Sequence, residues 1–342
     1  MASTTEQTGA AKPLNIGGVD RTGIVVVLGL AAISVLVFIL LGGEQVFPEA
    51  ISTRFAFADW INQAEDWLKA NYRWFTRAIS GVVGGAFERL EEFLWFAPWP
   101  AVVAAMAIPA LAWSGLRLAI FTTFSVMIWG AFGMWDDAMT TLAMMIVSVT
   151  FCIGVGGALG VLCAGSDRIE AAIRPVLDTM QVMPAFVYLI PAIFFFGLGP
   201  ASACAAIVIY ALPPMIRLTN LGLRQVPPTL VEAAESFGAT RWQMLWKVQV
   251  PQAMPSILLG VNQTIMMALA VAVFATFVGG GGLGDQVWRG ITKLKVGWAL
   301  EGGLCIVTMA IIFDRLSQAA SAPPVTSQLA PGEMHFRLLP QS

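Results

Sequence analysis

Apolar runs without charge recur along this sequence, and several approach the roughly 20 residues that a helix needs to cross hydrocarbon. Eight such runs are legible: Ile24–Leu41, Pro98–Leu116, Leu118–Trp135, Ala138–Cys163, Ala185–Leu198, Ala201–Ile216, Pro255–Val278 and Val296–Phe313. Of the 342 residues, 57% are hydrophobic and 12% charged, and mean hydropathy is +0.76. Soluble domains carry about 25% charged residues. A water-soluble fold could not hide so much apolar surface, so lipid must cover part of it. The expected class is all-α, a polytopic transmembrane helical bundle in contact with a lipid bilayer.

The fifth and sixth runs belong to one charge-free stretch, Thr179 to Ile216, broken at Gly197-Leu198-Gly199-Pro200. Gly and Pro stop a helix there, which predicts a tight hairpin of two short helices. The first run is longer than a secretory h-region and reads as a retained helix. Lys and Arg concentrate in short loops on one side if the N-terminus is cytoplasmic: Arg117, Arg168, Arg174, Arg217, Arg224, Arg241, Lys247 and Arg315 fall inside. Arg289, Lys293 and Lys295 fall outside, as does the long segment after the first run, which follows that rule poorly.

That segment carries Phe57, Trp60, Trp67, Phe75, Ile79, Val83, Phe87, Leu90 and Leu94 at roughly helical spacing, with charges filling much of the other face. Its tryptophans suit the headgroup zone. It reads as a helix along the bilayer surface, broken near Gly81 and Gly84-Gly85; a small helical bundle outside the membrane is the alternative. The tails, Met1–Gly18 and Ser321–Ser342, are small, polar and Pro-containing, so disorder is expected.

Net charge is −2, which leaves no nucleic-acid footprint. Cys152, Cys163, Cys204 and Cys305 sit in apolar runs without metal-ligand spacing and read as small core hydrophobes. No Walker A pattern, nucleophile elbow or HExxH helix occurs, so neither an ATPase nor a metal or catalytic site is expected on this chain. Membrane-buried acids of the kind that relay protons are scarce.

The most polar internal loop lies between the sixth and seventh runs, within residues 222–251. Pro228 suits the first turn of a helix, where its missing N–H costs nothing. Gly238 suits a C-terminal cap with positive φ. Thr240 can then N-cap a second short helix carrying Trp242, Leu245 and Trp246, which Pro251 is expected to end. A plain loop is the competing reading.

This loop resembles the EAA signature of binding-protein-dependent ABC importer permeases. In that signature Glu-Ala-Ala is followed after three residues by Gly, and after nine more by Ile-x-Leu-Pro. The matching residues are Glu232, Ala233, Ala234, Gly238, Val248, Val250 and Pro251, with Val in place of Ile and of Leu. Three further stretches, from Arg174 to Leu189, from Ala211 to Thr219 and from Gly260 to Thr264, resemble permeases of the glycine betaine/proline betaine osmoprotectant type. The resemblance covers roughly Met134 to Ala320.

The resemblance implies a methionine-importer-like (type I ABC importer) permease core over 138–320. N-terminal extra helices over 21–137, a cytoplasmic tail over 1–20 and a C-terminal tail over 321–342 complete the layout. It implies a multi-pass protein of the bacterial inner membrane, working as two copies with two ATPase subunits and a periplasmic or extracellular substrate-binding protein. ATP and Mg would reside on the ATPase, and no cofactor on this chain. Glu232 would anchor the coupling loop and Gly238 its turn; Trp242 and Leu245 would pack on the ATPase, or else back on the permease. Osmolytes of this class carry a quaternary ammonium, which aromatic faces attract. A receptor domain of about 250 residues has no room here, so the receptor is expected to be another chain.

Pro191, Pro213 and Pro214 are expected to interrupt helices beside a water-filled cavity. Met183, Phe186, Tyr188, Asn262 and Phe274 are candidates, with Pro213 and Pro214, for the substrate route; ordinary helix packing is the alternative for each. Gly279–Gly284 would form a re-entrant gate or a flexible loop, and Asp285 and Glu301 an acidic mouth. A methionine-type amino-acid permease is the nearest competing function. A secondary transporter is more distant, because it has no reason to present such a loop.

Overall fold

The computed structural model describes residues 21–40 and 57–321. The tails on which disorder was expected fall almost wholly outside that range. Contacts divide the chain into two compact units, Met1–Leu68 and Lys69–Ser342. The first holds α1 (Arg21–Leu40), whose Val26, Leu30 and Phe38 are exposed, as a helix surrounded by lipid requires.

α2 (Phe57–Phe96) begins in the first unit and continues into the second. Its one departure from helical geometry is at Tyr72 (φ −116°, ψ 16°), not at Gly81 or Gly84-Gly85 as expected. Of these glycines only Gly84 faces a neighbour: a Cβ there would lie 3.5 Å from that of Ala201. Val83, Phe87 and Leu94 are buried, and Glu91 accepts a 2.6 Å hydrogen bond from Thr140, so this half of the helix is part of the bundle.

The second unit continues with α3 (Trp99–Ser114), α4 (Leu116–Ala131), α5 (Trp135–Gly165, through a π turn at Cys152–Gly156) and α6 (Asp167–Val182). After a 3₁₀ turn, Ala185–Tyr188, come α7 (Leu189–Phe196), α8 (Pro200–Arg224), α9 (Pro228–Ser236) and α10 (Arg241–Ala272). A second 3₁₀ turn, Phe274–Val278, leads to α11 (Leu283–Thr292) and α12 (Val296–Ser321).

Among the described residues four helices are long and apolar enough to span a membrane: α5, α8, α10 and α12. Two bent pairs raise this to six, α2 with α3 at 107° and α6 with the Ala185–Phe196 segment at 115°. Of the eight expected runs, Ile24–Leu41 and Leu118–Trp135 correspond to the shorter apolar helices α1 and α4, and Pro98–Leu116 and Ala185–Leu198 to arms of the two bent pairs. The run 185–198 is a short re-entering arm, because Pro184 and the 3₁₀ turn break the helix. The hairpin at Gly197–Pro200 is present: Gly197 (φ 78°) and Gly199 (φ 139°) make the turn. Its second arm is longer than the charge-free run suggests. α8 continues through Arg217 to Arg224, because those charged side chains pair at the bundle end (below).

Pro213 and Pro214 do not interrupt α8; both are buried inside a continuous helix. Pro191 sits in the first turn of α7, where proline is tolerated. At the centre, α8 lies against α10 and the C-terminal half of α5. Small residues set those distances. A Cβ on Gly160 would lie 2.5 Å from Thr219 Cβ, and one on Gly222 2.7 Å from Ser256 Cβ. The core runs through Trp129, Met139, Met144, Ile207, Val271, Leu283, Met309 and Ile312, and all four cysteines are buried in the bundle. Trp129 Nε1 donates to Thr308 Oγ1 at 2.9 Å, satisfying the one polar atom of a fully buried indole.

The glycine run after α10 is neither flexible nor loosely held. Gly279, Gly281 and Gly282 have φ of 81°, 70° and 78°. Gly280 abuts Ala203, and Gly284 abuts the backbone of Val273. The Leu283 N–H donates to Thr141 Oγ1 at 2.8 Å. Asp285, expected at an acidic mouth, is ion-paired with Arg289 at 2.6 Å and accepts from Thr276 Oγ1 at 3.1 Å.

Candidate coupling loop and substrate route

The loop between α8 and α10 folds as its residue types dictate. Pro228 occupies the first turn of α9. The helix leaves through Gly238 at φ +77°: its N–H bonds to the Glu235 carbonyl (2.8 Å), and the Ala239 N–H to the Ala234 carbonyl (3.1 Å). These two bonds define a Schellman motif, which places the glycine four residues after its third-from-last helical acceptor. The four-residue interval between Ala234 and Gly238 is therefore a requirement of helix termination.

Thr240 then caps α10 through a reciprocal box: Thr240 Oγ1 accepts from the Gln243 N–H (3.4 Å), and the Thr240 N–H donates to Gln243 Oε1 (2.9 Å). Here the structure departs from the sequence reading. Pro251 does not end the second helix; it lies inside α10, exposed, immediately after a π segment at Met244–Gln249. A wider turn accommodates a proline that has no N–H to offer and whose ring crowds the carbonyl four residues back. The second helix of the loop and the membrane span are thus one continuous helix from Arg241 to Ala272.

The loop has two faces. Met244 is buried and Leu245 half-buried; Leu245, Val231 and Glu235 border a cavity of about 540 Å³ against Val161, Gly165 and Leu223. On the other face Phe237, Trp242 and Trp246 are 93%, 71% and 59% exposed. The two indoles lie parallel, 6.4 Å apart, as i,i+4 neighbours. Glu232 and Ala233 are exposed and Ala234 is half-buried. The expected pairing of Trp242 with Leu245 is split: Leu245 turns to the bundle and Trp242 away from it. Phe237 and Trp246 were missed as site residues; an aromatic directly before the capping glycine, and one four residues after Trp242, were the available signals.

The route candidates divide too. Phe186, in the first 3₁₀ turn, meets Phe274, in the second, at 4.4 Å between ring centroids. Phe277 joins at 5.7 Å from Phe186, and Trp288 packs on Phe277 at 4.7 Å. Phe277 and Trp288 were not anticipated. Phe186 and Trp288 remain 52% and 41% exposed. Tyr188 is buried; its OH donates to the Met180 carbonyl at 2.5 Å and its ring packs edge-on against Tyr210. Met183 is half-buried at the corner after α6. Asn262 Oδ1 accepts from Ser317 Oγ on α12 at 2.5 Å.

Comparison with known proteins follows the same residues. The family model described as binding-protein-dependent transport system inner membrane component matches residues 156–321. The glycine betaine/proline betaine transport system permease protein ProW of Escherichia coli (strain K12) is 44% identical over 260 residues, covering 76% of this chain and 73% of that protein. The glycine betaine transport system permease protein OpuAB of Bacillus subtilis (strain 168) is 40% identical over 267 residues, covering 78% and 94%. The trimethylamine N-oxide transport system permease protein TmoV of Ruegeria pomeroyi is 34% identical, over 93% of this chain and 49% of its own length. Among solved structures, an inward-facing MetNI methionine ABC transporter chain superposes with a TM-score of 0.49 at 23% identity, covering 54% of this chain and 94% of that one. ProW and OpuAB are matched over 73% and 94% of their own length at 44% and 40% identity, and on that basis this chain belongs to the family of binding-protein-dependent transport system inner membrane components.

Proposed function

We propose that this chain is the permease subunit of an ATP-binding-cassette importer for a small quaternary-ammonium or related compatible solute. Candidate solutes are glycine betaine, proline betaine, choline, carnitine and trimethylamine N-oxide. The observation that carries this reading is the loop 222–251: a doubly capped helix pair that buries one face on the bundle and leaves three aromatic side chains outward, with no role in its own core. Such a surface suits a cleft on another subunit, as buried aromatic anchors do at interfaces. The assembly in this reading has two copies of the chain, two ATPase subunits that hold ATP and Mg, and a separate substrate-binding protein. Hydrolysis takes place on the ATPases, and their closure moves the loop. Because the loop is continuous with α10, its displacement is a displacement of the span.

Phe186 and Phe274, extended by Phe277 and Trp288, are proposed as the contacts for the cation along the route. Aromatic faces attract a quaternary ammonium through the ring quadrupole. Met183, Tyr188, Pro213, Pro214 and Asn262 have packing or hydrogen-bonding roles in this reading.

The test is uptake by the complete complex in proteoliposomes, with ATP inside and receptor outside. Labelled glycine betaine, choline, carnitine, trimethylamine N-oxide and methionine are compared. ATP-dependent accumulation of at least one of the first four, without methionine, is expected. Methionine uptake alone would assign the chain to the amino-acid branch, and uptake without ATP would make it a secondary transporter.

A further inference from the structure

Arg224 closes α8 at the start of the loop, four residues before Pro228 opens α9, and all three nitrogens of its guanidinium are engaged. Nε donates to Asn220 Oδ1 at 2.9 Å, Nη1 to Asp167 Oδ1 at 2.6 Å, and Nη2 to the carbonyl of Cys163 at 2.8 Å. Nη2 also lies 3.0 Å from Glu170 Oε2. The partners come from three helix ends. Cys163 presents a carbonyl of the last turn of α5, where helix carbonyls lack internal partners. Asp167 and Glu170 occupy the first turn of α6, where acids favour the positive end of the helix. Ser166, at the N-cap of α6, makes no side-chain capping bond; at that corner Arg224 satisfies the Cys163 carbonyl of α5 and the acidic side chains of α6, not the α6 N–H groups.

The pair with Asp167, itself 88% exposed, contributes little to folding, whereas Glu170 is 21% exposed and its pair with Arg224 contributes more. What a planar fork supplies is fixed geometry among several acceptors. One further pair crosses the same seam, Arg217 of α8 with Asp178 of α6, while Arg174 pairs with Glu170 within α6 at 2.5 Å. Beneath them Cys163, Leu177 and Ile216 form a small separate hydrophobic cluster. α6 is thus attached to the bundle by ion pairs and a thin apolar contact, whereas α5, α8 and α10 interlock through close glycine contacts. α6 also leads, through the corner held by Tyr188 OH on the Met180 carbonyl, to Phe186.

We infer that Arg224 is the positioning residue that passes movement of the loop to α6, and through α6 to the 3₁₀ turn that carries Phe186. This rests on the reading of the loop as the ATPase contact. A side chain that merely stabilises the fold would change how much protein is active; one that transmits movement changes how much solute each ATP moves.

The experiment measures that ratio in proteoliposomes holding the whole complex. Arg224→Ala is expected to lower solute moved per ATP hydrolysed by about fivefold or more, within the usual span of coupling between sites. The double variant Asp167→Asn/Glu170→Gln is expected to do the same, and combining it with Arg224→Ala to add little, because the groups act as one network. Should Arg224→Ala fail to fold, the double variant alone decides. An unchanged ratio in a folded variant, or full additivity, overturns the inference. Gly238→Pro separates the two levels: if it leaves ATPase association intact, the loop reading itself fails. If it abolishes association while the Arg224 and acidic variants keep the normal ratio, only the transmission role fails.

Discussion

Trp242 stands largely exposed and stacks parallel to the indole of Trp246. At 71% exposure its truncation should change stability by no more than about 0.5 kcal/mol, the range for surface sites. If the outward aromatic face docks on the ATPase, Trp242→Ala should weaken association about tenfold or more, as hot-spot truncations do. Co-purification and thermal unfolding measured on the same variant distinguish the cases: loss of stability with association retained would place Trp242 in the permease's own packing. Leu245 should behave in the opposite way, losing stability first, because it borders the cavity under the loop. The two residues looked equivalent by spacing. Helical spacing shows that side chains share a stripe, but not which body that stripe faces.

Among the helices, α5 and α8 make one of the tightest contacts. Gly160 on α5 faces Thr219 and the carbonyl of Ile216 on α8 so closely that a Cβ would lie 2.5 and 2.9 Å away. Gly160→Ala should therefore push the pair apart and destabilise by about 1–3 kcal/mol, the cost of overpacking, read as a lowered unfolding temperature of the purified protein in detergent. Gly303 on α12 has no neighbouring atom within 4 Å of the same position. Gly303→Ala should be neutral or stabilising, since glycine costs a helix about 1 kcal/mol relative to alanine. Equal effects of the two substitutions would remove the close-packing argument. The loop's caps were legible as sequence, because Pro228, Gly238, Thr240 and Gln243 act on backbone groups within a few residues. The continuity of α10 through Pro251 was not, because a π segment can absorb a proline that local rules treat as a stop.

For the molecule as a whole, the cysteines report on packing among α5, α8 and α12. Cys152, Cys163, Cys204 and Cys305 are free and buried, on α5, α8 and α12. A membrane-permeant maleimide should leave them largely unmodified in the folded protein and label all four after denaturation in sodium dodecyl sulfate, as counted by mass spectrometry. Rapid labelling of Cys204 in the native state would mean that the α5–α8 contact opens. In the transport cycle proposed here, α5, α8 and α10 move together, so Cys204 should stay protected during turnover. Cys163, at the corner that Arg224 closes, is the thiol whose protection should change first.

Helical class, the approximate number of apolar segments, the hairpin at Gly197–Pro200 and the capped helix pair of the loop were all determined by sequence. Each depends on hydropathy or on backbone chemistry within one or two turns. Tertiary structure decided which segments cross as single helices, since Pro184 bends one candidate span by 115° while Pro213 and Pro214 leave another intact. It also decided that Phe277 and Trp288 join Phe186, and that Arg224 gathers three helix ends. Those contacts join residues from separate elements, up to about a hundred positions apart, and are formed only when the glycine-lined faces of α5, α8 and α10 close on one another.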